Sequence, residues 1–181
     1  MAVNPVKNCK KNIEDITLLS WNISGIKYNM SYLKNCLTNC DICFLQEHWL
    51  FPDSLRFLES VNTEFSSWGR ACDQLNLDSL SRKGFGGVAF FWRKCLNVTR
   101  LDNLGNDRIM VVSVNSAPNN KTIFILGVYL PTSTAPLNSY ETCLDILEDI
   151  ILQLQDRGTI IIAGYFNAHI GSLGGPRSFS I

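Results

Sequence analysis

The sequence predicts one α/β domain, and three observations carry that expectation. Short, nearly continuous apolar runs of strand length recur along the chain, other stretches have helical periodicity, and the two kinds alternate in mixed order. The 181 residues, 46% of them hydrophobic, suffice for one substantial core and are too few for two ordinary domains. We expect an N-terminal extension over 1–15 and a single domain over 16–181.

Taken in order, the run from Ile16 to Trp21 ends at Asn22 and is followed by Ser24-Gly25, as expected of a buried strand that delivers a polar side chain to its end. Met30 to Asn39 reads as a short helix, and Asp41 to Gln46 as a second buried strand ending on Glu47. Pro52-Asp53-Ser54 looks like a helix start ahead of Leu55 and Leu58, which share a face. Asp73 to Lys83 is polar and reads as a surface loop. Gly87 to Trp92, Ile109 to Val114 and Thr122 to Leu130 are strand candidates separated by turns such as Ala117-Pro118-Asn119-Asn120, and their sequence suggests a meander of one sheet. Asn138-Ser139 precedes an amphipathic helix whose buried face would hold Cys143, Leu144, Leu147, Ile150, Ile151 and Leu154, with Gly158 beyond its end. Thr159 to Ala163 reads as a final buried strand.

Charge and cysteine usage narrow the class. Lys plus Arg equals Asp plus Glu at 16 each, so no bulk positive field marks a nucleic-acid binder. Phosphate attraction would have to come from local pairs such as Arg82-Lys83 and Arg93-Lys94, which read more simply as solvated loop charge. The first fifteen residues lack the apolar stretch of a signal peptide, and no run reaches membrane-spanning length. Seven scattered cysteines fit reduced thiols. The expectation is an intracellular protein, nuclear or cytoplasmic, not secreted, with no membrane partner; sequons such as that at Asn97 are then coincidental. Cys36, Cys40 and Cys43 have a C-x3-C-x2-C spacing that resembles the iron–sulfur loop of radical enzymes. Buried cysteines acting as small hydrophobes, two on a helix face and one in a strand, explain the same spacing, and we prefer that reading.

The segments at the run ends carry the chemistry. They are Ser20-Trp21-Asn22-Ile23-Ser24-Gly25, Leu45-Gln46-Glu47-His48-Trp49-Leu50, Gly127-Val128-Tyr129-Leu130-Pro131 and Gly164-Tyr165-Phe166-Asn167-Ala168-His169, with the Gly-rich Gly84-Phe85-Gly86-Gly87 before another run. In this order they resemble the endonuclease/exonuclease/phosphatase family, and Gln46-Glu47-His48-Trp49-Leu50 is most similar to the endonuclease domains of LINE-type, non-LTR retrotransposons. The resemblance spans Ile16 to Gly171. It implies a DNase I-like β-sandwich of two sheets flanked by helices and a Mg²⁺- or Mn²⁺-dependent phosphodiesterase acting on DNA. It also implies roles for single residues. Glu47 would bind the metal, Asn22 and Asn167 would hold phosphate oxygens or metal-bound water, and the Tyr129 hydroxyl would contact the scissile phosphate. Carboxylate oxygens suit a hard cation, and neutral amides add no repulsive charge beside a phosphate.

Two departures bear on activity. The motif is usually Gly-Asp-Phe-Asn, and Tyr165 stands where the family Asp helps to set the attacking water. A phenol, which ionises near pH ~10 in water, cannot replace a carboxylate at neutral pH, and loss of one catalytic base removes roughly two to four orders of magnitude of rate. Tyr165 would also fill space meant for metal and water. The family further continues into strands ending in Ser-Asp-His, whereas this sequence stops ten residues after Gly171. The expectation is a domain incomplete at its C-terminus, with an unpaired sheet edge that invites association. His48 and His169 read as local structural or rim residues and do not replace the missing imidazole. The leading expectation is therefore an impaired retrotransposon-type DNA endonuclease domain. The alternatives are a non-catalytic nucleic-acid- or protein-binding remnant, or a phosphodiesterase of the same superfamily with another substrate.

Overall fold

A computed structural model describes residues 15–71, 85–115, 121–132 and 137–168. The expected loop at Asp73–Lys83, the Arg82-Lys83 pair, the turn at Ala117–Asn120, His169 and nearly all of the 1–15 extension lie outside the described residues.

Among the described residues, eight strands form two four-stranded sheets. The first sheet contains β1 (Leu18–Asn22), β2 (Ile42–Gln46), β3 (Phe65–Arg70) and β4 (Val88–Arg93) in the order β1-β2-β4-β3. The second contains β5 (Val98–Arg100), β6 (Ile109–Asn115), β7 (Thr122–Tyr129) and β8 (Thr159–Tyr165) in sequence order. Helix α1 (Met30–Thr38) links β1 to β2, a 3₁₀ helix covers Pro52–Ser60, and α2 (Leu137–Leu154) links β7 to β8. The pairs joined by the α-helices, β1 with β2 and β7 with β8, are parallel, and the others are antiparallel.

Strand alternation builds three apolar layers. Between the sheets, Ile42, Phe44, Val88, Phe90 and Trp92 meet Met110, Val112, Val114, Ile125 and Tyr129. The alternate residues of the first sheet, Cys43, Leu45, Ala89 and Phe91, pack on Leu33 and Leu37 of α1 and Leu58 of the 3₁₀ helix. Those of the second, Ile109, Val111, Phe124, Leu126 and Val128, pack on Cys143, Leu147, Ile150 and Leu154 of α2. Central strands buried on both faces explain why they read as unbroken apolar runs. The result is the two-sheet α/β sandwich with flanking helices that the resemblance implies.

Several expectations are corrected. The three central strands are not a meander of one sheet: β4 lies between β2 and β3, whereas β6 and β7 belong to the other sheet. Strands apolar on both faces carry no mark of which neighbour they pair with. Strands β3 and β5 were not expected; β3 hides two serines and a glycine among its residues, and β5 has only three residues. Helix α2 starts at Leu137, ahead of Asn138, and Leu144 is 43% exposed. Strand β8 is not buried, with Ile161 and Ile162 at 38% and 37% exposure, because it is the edge of its sheet and no described strand lies beyond it.

Arg93 is a structural residue. Its guanidinium pairs with the buried Asp41 at 3.3 Å and donates to the carbonyls of Cys40 (3.1 Å) and Thr38 (3.0 Å). A cation there satisfies orphan carbonyls at the end of α1 and complements the helix dipole. The five described cysteines are free thiols, and among the described residues no group of three His, Cys, Asp or Glu is arranged to hold a metal. Cys40 and Cys43 are buried, so the iron–sulfur reading is set aside in favour of small core hydrophobes.

Candidate active site

The C-terminal ends of β1, β2, β7 and β8 meet along one edge of the sandwich. Asn22 ends β1 in register with Gln46, immediately before Glu47, and Tyr129 ends β7 in register with Tyr165. The Tyr129 hydroxyl spans the gap between sheets and donates to Glu47 Oε1. Asn167, two residues past β8, donates from its side-chain amide to the Leu130 carbonyl at 2.6 Å. The four residues singled out in the sequence, and Tyr165 with them, thus occupy one edge.

Glu47 sits in a left-handed turn with φ of 62°, and Trp49 follows at 59°. Non-glycine residues enter this region at a cost and persist only where the surroundings hold them. Here Glu47 Oε2 accepts from Trp49 Nε1 at 2.6 Å and from the Gly86 amide at 3.2 Å. The Glu47 carbonyl accepts from the Gly25 amide at 2.8 Å. Gly25, with φ of 96°, lies so close to Trp49 that a Cβ would stand 2.6 Å from its ring. The turn after β1 and the turn after β2 therefore lock each other.

His48, beside Glu47 in the chain, is buried, at 1% exposure. Its Nδ1 accepts from the Leu50 amide at 3.0 Å, which leaves the proton on Nε2 to donate to the Arg70 carbonyl at 3.1 Å. Burial lowers its pKa below the ordinary histidine value, against the raising effects of its backbone hydrogen bonds and of Glu47. The ring packs against Gly87, whose φ of 81° and lack of Cβ admit it. His48 is a structural post beneath Glu47.

Asn22 Oδ1 accepts from both the amide and the hydroxyl of Ser24 at 3.2 Å, in a turn where Ser24 has φ of 47°. Asn167 has φ of 49°. Tyr165 is 46% exposed, and its ring stacks with that of Tyr129, centroids 6.4 Å apart and planes 27° from parallel. The Arg108 guanidinium lies 5.2 Å from the centre of the Tyr129 ring. Trp49, Gly86 and Arg108 were not singled out as site residues. Only the closeness of Trp49 to Glu47 in the chain and the glycine pair signalled them; Arg108 had no sequence signal.

The donor chemistry fits a hard divalent cation. A carboxylate and two side-chain amide oxygens lie along one edge, and the three hydrogen bonds Glu47 accepts do not exhaust its roughly four lone-pair sites.

Two mixed sheets packed face to face with helices outside define the class of DNase I-like α/β sandwiches. Residues 19–180 match the model of the Endonuclease/Exonuclease/phosphatase family, and the chain belongs to that family. The family is generally dependent on a divalent metal. No curated protein sequence matches the chain. Solved structures similar in fold include a 3' phosphatase from Neisseria bound to product DNA hairpin, 16% identical with a TM-score of 0.61 over 87% of this chain and 60% of that one. Another is the endonuclease domain of TRAS1, a telomere-specific non-LTR retrotransposon, 15% identical with a TM-score of 0.59 over 86% and 62%. A third is humanized D. rerio TDP2, 18% identical with a TM-score of 0.60 over 86% and 67%. The chain spans about three fifths of the length of the first of these.

Proposed function

We propose that this chain is a retrotransposon-type DNA endonuclease domain whose phosphodiester hydrolysis is impaired by Tyr165. The observation that supports it most is Glu47: a carboxylate at the end of a buried strand, held in a left-handed turn by Trp49 and Gly86 and bonded across the sheets by Tyr129. Ordinary packing gives no reason to fix an acid so tightly at a strand end. The fold likeness is equally close to several DNA-processing enzymes and does not choose among substrates; the choice of DNA nicking rests on the wording Gln46-Glu47-His48-Trp49-Leu50.

In this reading Glu47 holds Mg²⁺ or Mn²⁺, with the amide oxygens of Asn22 and Asn167 beside it. The bound cation would neutralise phosphate charge and acidify water. The amides orient the phosphate without adding negative charge, and the Tyr129 hydroxyl, whose one proton goes to Glu47 in the free protein, would turn it to the phosphate once a cation occupies Glu47. Tyr165 offers no carboxylate to accept the water proton, so the step lacks its base. The partner is DNA, and the place of work is inside the cell, in nucleus or cytoplasm.

The test is nicking of supercoiled plasmid in Mg²⁺ by this chain, by Tyr165→Asp and by Tyr165→Asp with Glu47→Gln, each alone and joined to the C-terminal part of a related domain. Tyr165→Asp is expected to nick roughly two to four orders of magnitude faster than the parent, and Glu47→Gln to abolish the gain. Equal rates with Tyr165 and Asp at this position would overturn the assigned defect.

A further inference from the structure

We propose that the exposed Tyr165, its ring stacked on that of the buried Tyr129, forms with the adjacent Phe166 a shelf for an unpaired nucleobase of single-stranded nucleic acid. The inference rests on the reading that this edge receives a nucleic acid, and it names the form that Tyr165 selects.

Tyr165 and Phe166 are consecutive and 46% and 40% exposed. With Asn167 and Ala168 they line a cleft of about 190 Å³. Tyr165 and Phe166 stand exposed at the rim of a polar site, where a ligand with a flat π-face would cover them. The shelf is also held in place before anything binds. The hydroxyl of Tyr129 is tied to Glu47 and its ring lies under Arg108, so the ring on which Tyr165 stacks is fixed at both tip and face. The Phe166 carbonyl accepts from the Tyr140 hydroxyl at 3.3 Å, and the bond from Asn167 to Leu130 fixes the next residue. A fixed ring loses little conformational freedom on binding.

Geometry favours a single strand over a duplex. Bases inside a duplex have both faces covered by their neighbours, so an exposed ring can engage only an unpaired or extruded base. The chain has 16 basic and 16 acidic residues, so broad attraction for a phosphate backbone is weak in either form and stacking has to carry the binding. Stacking is tolerant of base identity and is worth about 1–3 kcal/mol per base, or roughly 5- to 150-fold in affinity. A carboxylate at position 165 would repel an approaching phosphate, and the phenol does not.

The experiment is a fluorescence anisotropy titration of labelled oligothymidine and of a duplex of equal length, at several salt concentrations. The proteins are this chain, Tyr165→Ala, Tyr165→Phe and Phe166→Ala, with a thermal melt of each. The expected result is at least about ten-fold preference for the single strand, a shallow salt slope, a loss of roughly 5- to 150-fold in Tyr165→Ala and near-parental binding in Tyr165→Phe. Absence of single-strand binding, equal binding of duplex, or unchanged affinity in Tyr165→Ala would each overturn the shelf. A lowered melt in Tyr165→Ala with unchanged binding would also overturn it, by showing that the ring serves the fold. Plasmid nicking by Tyr165→Asp without a shelf would leave the endonuclease reading intact, and a shelf without such nicking would leave the shelf and remove the endonuclease.

Discussion

Among single residues, the tightest constraint near Glu47 is the packing of the His48 ring on Gly87, where a Cβ has no room and φ is 81°. Alanine at Gly87 must adopt a left-handed backbone and also displace a buried, hydrogen-bonded ring. We expect Gly87→Ala to lower folding stability by about 1–3 kcal/mol in urea unfolding, combining backbone strain with a disturbed buried contact. An unchanged midpoint would show that the loop moves freely. The same ring links stability to pH. Its folded pKa lies below the unfolded value of about 6.5, so the unfolded chain binds the extra proton first. The contribution is complete above that pH and declines as pH falls through it toward the folded pKa. Urea midpoints at pH ~7.5 and ~5.5 should therefore differ, the lower pH being less stable, and the difference should shrink in His48→Gln. A parental midpoint that rises on acidification would contradict this account of the ring.

At the scale of elements, α2 separates what periodicity can see from what it cannot. Leu144 and Leu147 lie one turn apart and are chemically identical, yet Leu147 packs in the layer against β6 and β7 while Leu144 stands at the rim of the buried stripe. Leu147→Ala should cost about 2–5 kcal/mol, as for a cavity in a packed layer, and Leu144→Ala less than about 1 kcal/mol. Thermal or urea unfolding of the two variants distinguishes them. Equal losses would place the helix rotated from the position described. Helix α1 differs in kind, because its end is anchored by Arg93 from β4, a residue more than fifty positions away in the chain.

For the molecule as a whole, the two edges of the second sheet are unlike. Strand β5 carries Arg100 at one edge, whereas β8 at the other is Thr-Ile-Ile-Ile-Ala-Gly-Tyr, with neither charge nor proline to discourage pairing. Among the described residues no strand pairs with the outer edge of β8, and such an edge beside the exposed Ile161 and Ile162 is a template for another strand. Sedimentation velocity should show association that grows with protein concentration and is reduced by Ile161→Lys or Ile162→Lys. A parent that remains monomeric at high concentration would show that the edge is protected. Structures similar in fold extend well beyond the length matched here, so joining the C-terminal part of a related domain should also suppress association.

The sequence by itself determined where most strands and helices lie, because periodicity and turn residues act over a few positions of chain. It also brought out Asn22, Glu47, Tyr129 and Asn167, because the segments that hold them at the ends of apolar runs resemble the family's motifs, and it exposed Tyr165 as the departure from the family pattern. Only the tertiary structure decided the rest. The assignment of β4 to the first sheet depends on pairing with strands far away in the chain, and apolar residues on both faces do not encode that choice. The exposure of β8 follows from what lies beyond it, not from its own isoleucines. Arg108 reaches Tyr129, and Tyr165 stacks on it, only once β6, β7 and β8 are paired in register, and Tyr129 reaches Glu47 only once the two sheets are packed. Local pattern is set by neighbours in the chain, whereas pairing, exposure and the contacts of a site are set by neighbours in space.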